Sequence, residues 1–143
     1  MIAAVSQLKC IKLEKIVVND ESISIKLRFV NKSHRITSSE LANLVIQERP
    51  NILLHSCKND GSKYFGDNIC ATILPHLLEH MIIDFYVEGS SRVDLAVSAI
   101  SKWDFESEGK ATIKLAYDND VEALVAVKNA VELLDDLLSE LSE

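Results

Sequence analysis

Between residues 74 and 84 the chain reads Leu-Pro-His-Leu-Leu-Glu-His-Met-Ile-Ile-Asp, with His76 and His80 four residues apart and Glu79 directly before the second. Each residue of an α-helix advances by about 100°, so the two imidazoles leave one face roughly 40° apart. Two imidazole nitrogens at that spacing can meet one metal ion, and zinc is the usual guest of such a pair. A carboxylate beside them can take a proton from water and pass it to a leaving group. The chemistry indicated is metal-assisted hydrolysis, with His76 and His80 as ligands and Glu79 as base.

The order H-x-x-E-H reverses the H-E-x-x-H motif of zinc peptidases. A catalytic zinc takes three protein ligands and leaves a fourth position to water, so a third ligand must come from another element. His55-Ser56-Cys57 supplies two candidates: Cys57 as thiolate is the first choice and His55 the second. Asp84, four residues past His80, is placed to orient that imidazole from behind. The plainer alternatives are two surface histidines with a solvated Glu79, a buried Cys57 thiol and a surface Asp84. His34, beside Lys32 and Arg35, is expected to be structural, and Cys10 and Cys70 are expected to pack. Asp104, Glu106 and Glu108, next to Trp103, have the chemistry of a guanidinium pocket with an aromatic wall, although a solvated acidic loop is the expectation.

What positions these residues is a helix within the apolar run from Ile69 to Val87. Around its wheel Leu74, Leu77, Leu78, Met81, Ile82 and Phe85 share one side and the histidines take the other. One face therefore packs into a core, and the other needs a covering element or a cleft. Pro75 either opens the helix or kinks it. Upstream, Leu8–Val18 and Ile23–Phe29 alternate on either side of an Asn19–Ser22 turn and predict a hairpin. Thr37-Ser38-Ser39-Glu40 predicts a capped helix start and Pro50 its end, after which Ile52-Leu53-Leu54 reads as a short strand or extended segment and residues 58–66 as a polar loop. Downstream come a strand over Leu95–Trp103, an acidic loop over Asp104–Gly109 and a strand over Ala111–Tyr117. Asp118-Asn119-Asp120 then caps a last helix whose stripe is Val121, Leu124, Val125, Val127, Val131, Leu134, Leu137, Leu138 and Leu141. The order β-β-α-(β)-α-β-β-α predicts one α+β domain over residues 1–143, with helices packed on one face of a largely antiparallel sheet.

Composition bounds the function. With 143 residues and 48% apolar content the chain is long enough for one core and too apolar for disorder. Its start lacks the basic and apolar regions of a signal peptide, and no apolar run reaches the length of a membrane span, so a soluble cytoplasmic protein with no membrane partner is expected. Three cysteines form no disulfide framework, which leaves thiolates available to metal. Net charge is −7, but residues 1–63 carry 10 Lys+Arg against 6 Asp+Glu while residues 64–143 carry 5 against 16. No basic cluster with interleaved aromatics appears, so no nucleic-acid partner is expected. There is no dinucleotide, Walker or G-x-S-x-G motif.

Leu53-Leu54-His55-Ser56-Cys57, Tyr64-Phe65-Gly66, Leu74–Asp84, Gly109–Tyr117 and the closing helix together resemble the N-terminal domain of cyanophycin synthetases. That domain has an H-x-C element, an H-x-x-E-H helix followed by an acid, a similar strand and a similar last helix, in that order. The resemblance runs from about residue 50 onward, and it implies a zinc-type hydrolytic site that cuts a polymer of aspartate bearing arginine side chains. Carried over by position, it makes Cys57, His76 and His80 metal ligands and Glu79 the base, with a peptide or Arg-rich polymer as substrate. These 143 residues hold no ATP-grasp or ligase domain, so the synthetase activity itself is not expected of them. The chain also replaces a basic, Gly-rich stretch of the family with Lys102-Trp103-Asp104-Phe105-Glu106-Ser107-Glu108. The alternative function is a non-catalytic, metal-stabilised module acting with a separately encoded enzyme.

Overall fold

The computed structural model describes residues 8–55, 64–67, 69–89 and 98–141. Strands β1 (Ile11–Val18) and β2 (Ser22–Phe29) form the expected hairpin, in which Ile23, Ile25, Leu27 and Phe29 all point into the core. Strands β3 (Ala99–Phe105) and β4 (Lys110–Ala116) form a second hairpin, and β4 lies beside β2 to give an antiparallel sheet of order β1-β2-β4-β3. Period-2 alternation sends Ala111, Ile113 and Leu115 inward beside the β2 residues. One face of the sheet therefore carries the apolar row, and the helices α1 (Ser39–Glu48), α2 (Leu74–Gly89) and α3 (Asp120–Leu141) pack on that side. The α+β class with helices on one face is as the pattern predicts.

The helix ends follow local chemistry. The Ser38 hydroxyl caps α1 by accepting from the Leu41 amide at 3.1 Å, and Asn119 caps α3 by accepting from the Glu122 amide at 3.0 Å. Pro75 lies in the first turn of α2, where no intrahelical donor is required of it. The Tyr86 hydroxyl on α2 accepts from the amides of Asp118 at 2.6 Å and Asn119 at 3.1 Å, which ties α2 to the start of α3. At the other end of the fold, Asp135 of α3 is buried and reaches the start of β1. Its Oδ1 accepts from the Cys10 and Ile11 amides at 2.7 and 2.8 Å, and its Oδ2 from the Lys9 amide at 3.0 Å.

Four expectations are corrected. Residues Pro50–Leu54 form a 3-10 turn rather than an extended segment, because Pro50 sets its first φ and the turn buries Ile52 while Leu54 stays outside. Helix α2 starts at Leu74, so Cys70 sits in a preceding 3-10 turn and is exposed instead of packed on the helix; Cys10 is buried as expected. In α3, Val121 and Val125 face outward, and Ala123, Ala126 and Ala130 take the core side, where small side chains let α2 lie close. Strand β3 continues past Trp103 to Phe105 with an irregularity at Asp104, while the Leu95–Val97 part of the expected strand lies outside the described residues. Among the described residues, no helix is long and apolar enough to cross a membrane.

Candidate metal centre

From Leu74 to Ile82 every residue of helix α2 is buried, and only its last turn, Val87–Gly89, is exposed. His76, Glu79 and His80 are 7%, 5% and 3% exposed, so the histidine face is covered rather than left in solvent. The cover comes from three directions. Residues Pro50–Leu54 deliver His55, the 3-10 turn at Phe65–Asp67 delivers Phe65, and β3 delivers Ser101 on its inward face. The Phe65 ring stacks on His80 at 4.0 Å between centroids and meets His76 edge-on at 5.2 Å. The Ser101 hydroxyl donates to Glu79 Oε1 at 2.7 Å.

The geometry at the centre suits a metal ion. His76 Nε2 and His80 Nε2 are 3.2 Å apart. Two nitrogens bound to one zinc at its usual distance and a tetrahedral angle are separated by about 3.3 Å. Glu79 Oε2 is 4.0 Å from His80 Nε2, and one donor atom from each of the three residues lies within 4.8 Å of the others. A cluster of His76, Glu79 and His80 that could hold a metal ion is therefore present as the spacing suggests.

Burial sets the protonation states. The His80 pKa is pushed down to about 3, first by loss of water and then by the charges of His76 and His55, so the ring keeps a lone pair at neutral pH. Burial also raises the Glu79 carboxyl, with the Ser101 hydrogen bond and the charge of His76 acting the other way. That moves it toward the range in which a carboxyl exchanges protons near neutrality.

Behind the cluster runs a chain of hydrogen-bonded rings. Thr72 Oγ1 is 2.7 Å from His76 Nδ1, and His80 Nδ1 is 3.1 Å from His55 Nδ1. His55 Nε2 is in turn 3.1 Å from Asp84 Oδ1. Asp84 Oδ2 accepts from Arg49 Nε at 2.6 Å, and Arg49 also pairs with Glu88 at 3.0 Å and lies 3.9 Å over the Phe85 ring. Burial disfavours the charged Asp84, but the hydrogen bonds and charges of His55 and Arg49 outweigh it and hold the carboxyl below its ordinary value.

His55 thus meets the nitrogen of His80 that faces away from His76, a backing position instead of the ligand position considered for it. Asp84 orients His55, and only through it His80. Cys57, the first choice for a third ligand, lies outside the described residues. His34 sits in the turn after β2, where burial and then the charge of Arg35 lower its pKa. The acidic trio does not gather into a pocket. Asp104 accepts from the Thr112 hydroxyl, Glu108 pairs with Lys110 at 3.5 Å, and Glu106 takes Arg35 through its backbone carbonyl at 2.7 Å. Trp103 packs edge-on against Phe29 at 5.8 Å beneath Arg35.

Thr72, Phe65, Ser101 and Arg49 belong to the site and escape the motif. Thr72 was within reach, since Thr72, His76, His80 and Asp84 recur every four residues. Phe65, Ser101 and Arg49 arrive by tertiary packing and leave no local signal. No family model matches the chain, and no curated protein matches it.

Proposed function

We propose that the chain is a zinc-dependent hydrolase acting on peptide bonds, with a peptide or a cyanophycin-like aspartate–arginine polymer as substrate. The observation that carries this reading is the 3.2 Å separation of His76 Nε2 and His80 Nε2 beside a carboxyl whose pKa burial raises. When bound, zinc supplies a Lewis acid for the scissile carbonyl and for water. His76 and His80 would provide nitrogen ligands to it, and the Cys57 thiolate is the proposed third. At 4.0 Å from His80 Nε2, Glu79 stands wider than a tetrahedral ligand edge, a distance that suits a base acting across one water. Glu79 takes the proton from the attacking water and delivers it to the leaving amine, while the Ser101 hydroxyl holds the other carboxylate oxygen in place. The likeness to the N-terminal domain of cyanophycin synthetases supports an Arg-bearing substrate.

The depth of the cluster favours a second reading, a non-catalytic module that metal stabilises, because His76, Glu79 and His80 are all below 10% exposed. One experiment separates the two. Metal content is measured on protein purified without chelators, together with Glu79→Gln and Cys57→Ser variants assayed on Arg-bearing peptides and on the aspartate–arginine polymer. The hydrolase reading expects Glu79→Gln to keep its zinc and lose turnover, and Cys57→Ser to lose zinc. Zinc with no turnover in the native protein selects the structural module, and a native protein without zinc refutes both.

A further inference from the structure

We infer that Asp84, acting through His55, fixes His80 in the tautomer that keeps its Nε2 bare toward His76, and that Arg49 sets the direction of this relay. The inference rests on the proposed metal reading for its purpose, but its geometry stands without a metal.

Arg49 is a donor with no acceptor, and it contacts Asp84 Oδ2 at 2.6 Å. An ionised carboxylate is acceptor-only, so His55 Nε2 must donate to Asp84 Oδ1 across their 3.1 Å contact. A neutral imidazole has one donor and one acceptor nitrogen. His55 Nδ1 is then an acceptor, and at 3.1 Å it takes the proton of His80 Nδ1. His80 Nε2 is left with its lone pair, aimed into the 3.2 Å gap toward His76.

The other end of the chain is adaptable. Thr72 Oγ1, 2.7 Å from His76 Nδ1, belongs to a hydroxyl that can donate or accept. It serves His76 with the proton on Nε2, bonding to His80, and equally with the proton moved to Nδ1 and both Nε2 atoms bare. One histidine is preset by a charge, and its neighbour can switch while keeping its hydrogen bond to Thr72, giving up only the one to His80. Carboxylate–histidine pairs of this kind orient ligands in metal sites, and their loss typically costs about 10–100-fold in metal affinity. Here a second imidazole stands between the carboxylate and the ligand. Asp84 and His55 are positioning residues, outside the His76, Glu79 and His80 cluster that would hold an ion.

The test reads the tautomers directly. Long-range proton–nitrogen correlation spectra of metal-free, uniformly 15N-labelled native protein at about pH 8 distinguish a protonated imidazole nitrogen from a bare one. The expected result is a proton on Nδ1 of His80 and on Nε2 of His55. A proton on Nε2 of His80, as would follow if His55 were an imidazolium donating from both nitrogens, overturns the inference.

Asp84→Asn then reverses the relay. The Arg49 donor keeps the amide oxygen, so the NH2 group faces His55, His55 moves its proton to Nδ1, and His80 must carry its own on Nε2. Zinc affinity, measured by competition with a chromophoric chelator, should fall by about 10–100-fold. Zinc affinity within about twofold of native, with the tautomers reversed, would refute the proposed purpose. Native tautomers as expected in a protein that binds no zinc would leave the relay standing and remove the metal reading.

Discussion

Acidifying the metal-free protein probes the cluster through His80. Its ring is 3% exposed, lies under Phe65 and has neighbours at both nitrogens, so a second proton on it would be unhydrated, with the Glu79 carboxyl 4.0 Å away as a weak offset. Its pKa in the folded protein is about 3, against about 6.5 in an unfolded chain. Between those values the unfolded chain holds a proton that the folded one refuses. Stability from this residue is therefore complete above about pH 6.5 and is lost as the pH falls toward 3, at roughly 1.4 kcal/mol per pH unit. By pH 4.5 the loss is about 3 kcal/mol, a large part of a typical net stability of about 5–15 kcal/mol.

Glu79 works in the opposite direction. Its raised pKa is a cost at neutral pH that is relieved as the pH falls through its folded value. Asp84, held below its ordinary value, adds stability that disappears only at more acid pH. Glu79 is present in both native protein and a variant lacking His80, so the difference in slope between them below about pH 6.5 isolates the histidine. Urea unfolding of chelator-treated protein at half-unit pH steps, beside a His80→Gln variant, should show the native protein losing stability faster by about one proton per molecule. Equal slopes, or a His80 ring resonance that titrates near pH 6.5 while the protein stays folded, would refute the reasoning.

Three further perturbations have defined outcomes. Asp135→Ala removes the acceptor of three backbone amides in a buried place and should cost about 3–5 kcal/mol in urea unfolding, with Asp135→Asn costing less because one oxygen survives. Gly109→Ala places a Cβ 2.3 Å from the Phe29 carbonyl oxygen at φ 73°, so a fall of at least about 2 kcal/mol in stability is expected from thermal melts. Phe65→Ala takes a fully buried ring off His80 and should cost about 3–5 kcal/mol, while NMR titration of the surviving fold should show the His80 pKa moving up toward its ordinary value as water enters.

The parts of the molecule visible in the sequence were those written on a single element. Alternation in Ile23–Phe29 and Ala111–Leu115 marks the sheet because each strand carries its own buried row. His76, Glu79 and His80 were legible for the same reason, since one helix holds all three. The helical wheel set the histidine face correctly against the apolar stripe, but a wheel knows only its own helix, and the burial of that face depends on His55, Phe65 and Ser101. The Pro50–Leu54 stretch misled because three consecutive apolar residues fit a strand and a tight turn equally well. Bulk puts Val121 and Val125 in the hydrophobic stripe of the sequence, whereas in the fold the small Ala123, Ala126 and Ala130 are buried and the two valines face out.

The Asp135 contact also says something about time. It joins residues 9–11 to a position more than 120 residues later, so the start of the first strand is tied to the last helix as well as to β2. The β1–β2 hairpin can form early because its partners are near neighbours, but β2 gains its second partner only once β4 has been made. Contacts that distant in sequence must overcome loop-closure entropy before they return any stability. A nascent chain would hold an unanchored hairpin with one edge of β2 unpaired until nearly all of the chain had emerged. Assembly of the histidine cluster, which needs β3 behind Glu79 and α3 beside α2, would then be a late event in folding.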